Sequence, residues 1–230
     1  MIRADQHRCV LFDVDGTIAE TEGHAHLPAF NQALEEAGFD WRWTAADYKR
    51  LLKTTGGFER LLRFATERGH DAKALREQLA QVHKNKNRHF AAIMASGAVA
   101  PRAGFRELVM HLARQNISWG VVTTTSRGNW DALWTYSLAP LGLPSPEVIV
   151  CGEDVAAKKP DPEAYLLALK RLDMTATQCC AIEDSRNGLL AARAADLEVV
   201  IVRSEFFADE PFDEAAQVVD ELYFLQQDNL

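Results

Sequence analysis

Five short apolar runs punctuate the chain, at Cys9–Phe12, 119–122, 148–151, 179–182 and 199–202. Each is bounded by Gly, Asp or Pro and is continuous rather than alternating, the pattern of strands buried on both faces of a parallel sheet. Helical spacing fills most of the gaps, over 105–114, 161–172 and 187–195, with Asp161 and Pro162 as N-cap and first residue of the middle helix. Alternation of this kind predicts an α/β fold, a Rossmann-like doubly wound parallel sheet.

One gap is too long. Between the first two runs, Leu27, Phe30, Leu34 and Ala37 share a helical face that Gly38 ends. Thr44 caps a second helix carrying Leu51 and Leu52, and Phe58, Leu61, Leu62 and Ala65 define a third, ended by Gly69. Asp71 opens a fourth with Leu75, Leu79, Val82, Phe90 and Ile93. A crossover needs one helix, so the pattern predicts a four-helix-bundle cap domain at 20–96, inserted into a core formed by 1–19 and 97–230. Trp41 and Trp43 read as packing residues of that cap. There is no internal repeat or low-complexity segment, and the tail after Arg203 reads as peripheral.

Composition mainly excludes. At 230 residues, 47% hydrophobic and 25% charged, the chain has the makeup of a soluble globular protein with a sizeable core. No apolar run reaches membrane-span length, and the N-terminal stretch passes from a short apolar run straight into Asp13, unlike a signal peptide. A net charge of −8 argues against a general nucleic-acid surface. Cys9, Cys151, Cys179 and Cys180 lie in or beside apolar runs without a CxxC, and read as buried, reduced thiols of a cytoplasmic protein.

Chemistry gathers where the runs stop, which is where open α/β sheets place ligands. The first ends in "DVDGT": Asp13 and Asp15, two apart, point to the same side of an extended chain, and Gly16 permits a sharp turn. Two adjacent carboxylates repel unless a cation or proton intervenes. Taken alone the motif is also an ordinary Asp-Gly turn. The second run ends in "VVTTTS", offering hydroxyls from Thr123 and Thr124, or simply a helix cap. After the third comes "AAKKPDPEAY", where Pro160 restricts Lys159; a solvated lysine pair is the plainer reading. The fourth ends in "AIEDSRNGLLAA", with Glu183 and Asp184 ahead of the potential caps Ser185 and Asn187 and of Gly188, which permits close approach.

These four motifs, in this order, resemble the haloacid dehalogenase superfamily of phosphotransferases. The inserted helices resemble its helical-cap branch, which includes phosphoglycolate phosphatase and β-phosphoglucomutase, and "FDVDGTIAETE", "TTGGFER", "VVTTTS" and "AIEDSRNGLLAA" are similar to CbbY-like phosphatases. The resemblance implies a Mg²⁺-dependent hydrolase in which Asp13 is the nucleophile, forming an aspartyl phosphate, and Asp15 is the general acid and then base. It implies metal ligation by Asp13, the Asp15 carbonyl and Asp184, with Glu183 acting through water, and phosphoryl contacts from Lys159 and Thr123. The aspartate at position 15 favours phosphate esters over halides, since dehalogenases lack it.

For the substrate, the resemblance points to Glu22, His26, Thr55, Gly56, Gly57, Arg60, Lys86 and Thr124. The segment "GHAHLP" carries one residue more than the family pattern, leaving His24 and His26 as competing positions, and Lys86 reads equally well as part of a solvated helix face. Phe58 stands where CbbY-like relatives carry a lysine. The implied substrate is a small phosphorylated sugar, with xylulose 1,5-bisphosphate as the CbbY-like expectation. A sugar-phosphate mutase, a phosphoglycolate phosphatase and a non-catalytic metabolite binder are the alternatives. Neither a nucleic-acid nor a membrane partner is expected, and relatives of the branch are often monomers.

Overall fold

A computed structural model describes residues 6–223. The outermost parts of the expected core, 1–5 and 224–230, lie outside the described residues. Among the described residues, six parallel strands form one sheet in the order β3-β2-β1-β4-β5-β6. They are β1 (Cys9–Phe12), β2 (Ser118–Val122), β3 (Val148–Val150), β4 (Cys179–Glu183), β5 (Glu198–Val202) and β6 (Gln217–Val219). β1 lies centrally, with Leu11 opposite Gly120 of β2 and Ala181 of β4.

The strands bury both faces, as their continuous apolar character requires. Val10 and Phe12 join one apolar cluster with α5 (Phe105–Arg114) and α6 (Arg127–Leu133), whereas Cys9 and Leu11 join another with α7 (Glu163–Leu172) and α8 (Arg186–Ala194). All four cysteines are buried free thiols. Among the described residues no helix is long and apolar enough to cross a membrane.

Between β1 and α5 run α1 (Leu27–Glu36), α2 (Ala45–Leu51), α3 (Gly57–Glu67) and α4 (Arg76–Ala95). They enclose a third cluster around Phe30, Leu34, Trp41, Trp43, Leu61 and Val82. Thr44 caps α2 through a reciprocal box with Asp47.

Local details depart from the expected pattern for physical reasons. Asp161 and Pro162 sit one step earlier than expected: Pro162 is the N-cap, and Asp161 Oδ1 accepts from the Glu163 amide (2.9 Å) in a turn before the helix. Asp71 likewise accepts from the Lys73 and Ala74 amides, so α4 starts only at Arg76. The extra residue near "GHAHLP" is absorbed in a π-helical turn, Glu22–His26, that leads into α1.

The tail is not peripheral. It supplies β6, and it returns Phe206 to the helical cluster edge-on to Tyr48, with ring centroids 5.8 Å apart. Short β6 mixes polar and exposed positions, so no apolar run announces it.

Candidate active site

The parallel sheet brings the ends of β1, β2 and β4 side by side. Asp13 follows β1 directly, and its amide donates to the Ile182 carbonyl of β4 (3.0 Å). Glu183 closes β4, with Asp184 next in the chain. Lys159, in the loop after β3, extends into this cluster. Its Nζ donates to Asp13 Oδ1 (2.7 Å), Val122 O (2.7 Å) and Glu183 Oε1 (2.5 Å). Burial opposes the charge of Lys159, but Asp13 and Glu183 outweigh it and hold its pKa above the ordinary lysine value.

Asp13, Glu183 and Asp184 each offer an oxygen within 4.8 Å of the others, all buried. Burial, opposed by Lys159 and reinforced by Glu183 and Asp15, pushes Asp13 up to about 8. Asp184 is raised as well, by burial first and then by Asp13 and Glu183. One lysine does not neutralise three carboxylates. Asp184 Oδ2 is buried without a hydrogen-bond partner, and a Cβ on Gly16 (φ +90°) would overlap the Asp184 carboxylate. Crowded hard oxygens, orphaned lone pairs and a glycine-cleared space fit a divalent cation such as Mg²⁺.

Asp15 is held quite differently. Thr21 Oγ1 and His26 Nε2 both donate to its Oδ1, at 2.5 and 2.9 Å. Burial works against its charge, but His26, Thr21 and Lys86 overcome that and hold Asp15 at about 2. His26 is buried and stacked on Phe90 (4.4 Å), whereas the competing His24 is exposed and lies 3.8 Å from Glu205. The π-helical turn is what aims His26 inward.

Two adjoining cavities, about 50 and 150 Å³, share Asp15, Glu22, Arg60 and Thr124 as lining. Asp13, Lys159, Asp184 and Thr55 line the smaller one; His26, Gly56, Gly57, Phe58 and Lys86 line the larger. Thr123 lines neither. Its hydroxyl accepts from the Thr125 amide (3.1 Å), which leaves the O–H to donate elsewhere, while Thr124 lines both cavities. Glu183 also lines neither cavity and is fully buried behind Lys159.

Glu22 accepts from the Tyr48 hydroxyl (2.5 Å) and lies 3.7 Å from Arg60, which is also tied to the Thr54 carbonyl (3.0 Å). Lys86 is buried, not solvated, with Nζ 5.1 Å from the Phe30 ring and 5.3 Å from the Phe90 ring. Burial, partly offset by Asp15 and Glu22, lowers it to about 7. An anionic ligand should therefore bind more weakly as pH rises above 7, because a phosphate monoester is already doubly charged there while Lys86 loses its proton. We expect KM for a phosphorylated substrate to climb over that range, and Lys86→Met to flatten the rise; a KM–pH profile of both proteins measures it. The folded chain binds this proton more weakly than the unfolded chain, so Lys86 also makes stability increase as pH climbs from 7 toward the ordinary lysine value.

Contacts between the inserted helices and the core ring these cavities. Asn187 donates to Thr55 Oγ1 (3.2 Å), Asn129 to Asn87 Oδ1 (3.3 Å) and Lys158 to Glu59 Oε1 (3.1 Å). Arg102 is a residue that sequence reasoning missed. Its Nη1 donates to Gly16 O (2.6 Å) and Glu20 Oε1 (2.9 Å), and its Nη2 to Arg203 O (2.6 Å). It thereby ties the loop after Asp15 to both connections of the helical insertion. Thr21 and Tyr165 were missed too. Tyr165 OH donates to Glu183 Oε1 (2.5 Å), and burial together with Glu183 keeps the phenol protonated. Nothing in the local pattern around these residues marks them; only their partners do.

A family profile described as "Hydrolase: haloacid dehalogenase-like hydrolase" matches residues 7–196. The chain belongs to the haloacid dehalogenase-like hydrolase family. Among haloacid dehalogenase-like proteins, it is 41% identical over 211 residues to Protein CbbY of Rhodobacter capsulatus, covering 90% of each chain. Its fold is similar to crystal structures of CbbY from Rhodobacter sphaeroides. The phosphate complex has a TM-score of 0.87 at 38% identity and covers 95% of this chain and 96% of that one. A mutant in complex with xylulose 1,5-bisphosphate has a TM-score of 0.86 at 38% identity, with 94% and 95% covered. This member of the haloacid dehalogenase-like family, which also has relatives named as sugar phosphatases, is a phosphatase.

Proposed function

We propose that the chain hydrolyses a small phosphorylated sugar of the xylulose 1,5-bisphosphate class through an aspartyl phosphate on Asp13. The observation that carries this reading is the pairing of Asp13 with Asp15 at one cavity junction, with opposite electrostatic settings. The likeness to a CbbY structure that holds xylulose 1,5-bisphosphate supports the substrate class.

Asp13, Asp184 and the Asp15 carbonyl would hold Mg²⁺. When bound, that ion supplies positive charge that keeps Asp13 ionised and neutralises phosphoryl oxygens. Asp13 attacks phosphorus, and the bond from phosphorus to the sugar oxygen breaks. Lys159, with the adjacent Thr123 and Thr124, holds the equatorial oxygens.

The departing sugar oxygen takes a proton from Asp15. In the free enzyme Asp15 is an anion, and the incoming phosphoryl dianion raises its proton affinity so that it can carry that proton. In the second half, Asp15 takes a proton from water, whose oxygen attacks the aspartyl phosphate, frees inorganic phosphate and restores Asp13. His26 and Thr21 keep the Asp15 carboxylate in one orientation throughout.

Residues 20–96 act as the cap, with Glu22, His26, the 54–57 loop, Arg60 and Lys86 facing the sugar. Closure over the core excludes water from the first step. The test is a phosphate-release screen over sugar bisphosphates, hexose monophosphates and phosphoglycolate, with Mg²⁺ and with a chelator. We expect release from a sugar bisphosphate that stops on chelation. Isomerised monophosphate without net phosphate release, or turnover unaffected by chelation, would overturn the proposal.

A further inference from the structure

We propose that Tyr165 is a positioning residue for phosphoryl transfer, setting Glu183 and through it aiming Lys159 Nζ at Asp13. This rests on the reading of Asp13 as nucleophile and extends it to a side chain that reaches neither cavity.

An ammonium group has three N–H donors, and Lys159 spends all of them. They go to Asp13 Oδ1, Val122 O and Glu183 Oε1. Val122 O is main chain at the end of β2 and does not move independently. The aim of Nζ at Asp13 therefore depends on where Glu183 Oε1 sits.

That oxygen has one further partner, the Tyr165 hydroxyl at 2.5 Å. Glu183 Oε2 has none, and a Cβ on Gly188 would overlap the same carboxylate. Glu183 is thus located by Tyr165 on one side and by the space Gly188 leaves on the other. Tyr165 also meets Lys159 directly, with Nζ 5.0 Å from its ring centre. Tyr165, Glu183 and Lys159 are all buried, so water does not replace a lost partner cheaply.

Tyr165→Phe keeps the ring, the packing and the contact of the ring with the ammonium, and deletes only the oxygen that holds Glu183. A small misplacement at a reacting centre is costly, and we expect kcat for phosphate release to fall about tenfold or more with KM within about twofold. Gly188→Ala, which crowds the carboxylate from the opposite side while sparing the hydroxyl, should act in the same direction.

A readout independent of substrate accompanies the kinetics: acetic anhydride labelling of Lys159, followed by peptide mass spectrometry in folded wild type and Tyr165→Phe. With one of its three acceptors displaced, Lys159 should label several-fold faster in the variant. Faster labelling together with lower kcat supports the proposal. Unchanged labelling overturns the route through Lys159, whatever kcat does, and faster labelling with unchanged kcat overturns its importance for the reaction. If wild type itself releases no phosphate from any sugar phosphate, the substrate reading fails, while labelling still decides whether Tyr165 positions Lys159.

Discussion

Asp13→Asn should abolish phosphate release while leaving the fold and the cavity intact. Asparagine matches aspartate in shape and retains an oxygen to accept from Lys159 Nζ, now 2.7 Å from Oδ1. What it lacks is an anionic oxygen able to form the acyl phosphate. Loss of a nucleophile that acts together with a general acid typically costs several orders of magnitude, and we expect about 10⁴-fold or more in kcat. Binding of a sugar phosphate should survive, because the cap groups Arg60 and Lys86 are untouched. Steady-state phosphate release and calorimetric binding on the same preparation check both halves. Turnover within tenfold of wild type would remove Asp13 from the nucleophile role.

Lys159→Met should be the most destabilising single change at the site. Lys159 offsets two buried carboxylates, Asp13 and Glu183, at 2.7 and 2.5 Å, and is itself buried. Removing one member of a buried ionic cluster leaves uncompensated charge and costs about 3–5 kcal/mol. The sign of the pH dependence follows. Without the lysine, the folded-state pKa of Asp13 rises further above its unfolded value, so the native state binds more protons and the deficit shrinks as pH falls. Urea unfolding at several pH values without metal measures this, and a deficit below about 1 kcal/mol at neutral pH would show that Lys159 does not carry the cluster. Phosphate release should be lost as well, since Lys159 is the ammonium that lies against Asp13.

The first five strands were legible because a strand covered on both faces has to be apolar along its whole length. The π-helical turn, Arg102 and β6 were not legible, because each is defined by distant partners rather than by its neighbours in sequence. Lys86 shows the limit well. Its polar neighbours Asn85, Asn87 and Arg88 suggest a wet helix face, yet Lys86 is buried with its ammonium against the Phe30 and Phe90 rings. Thr123 and Thr124 show a finer limit. A one-residue difference separates Thr124, which lines both cavities, from Thr123, whose hydroxyl accepts from the Thr125 amide. Arg203 onward looked peripheral because its aromatics are interrupted by acids, yet Phe206 and Phe207 pack back against the helical cluster.

By itself the sequence determined the class of fold and the kinds of group available at the strand ends. Both depend on residue type and short spacing, which local physics constrains. Only the tertiary structure decided which of those groups share a site, that His26 rather than His24 meets Asp15, and that Lys159 is pinned among three acceptors. Those outcomes depend on distances between segments as much as 146 residues apart, as in the Lys159–Asp13 pair. They are settled by burial, because in a dry interior each donor and carboxylate must find a partner wherever the chain brings one.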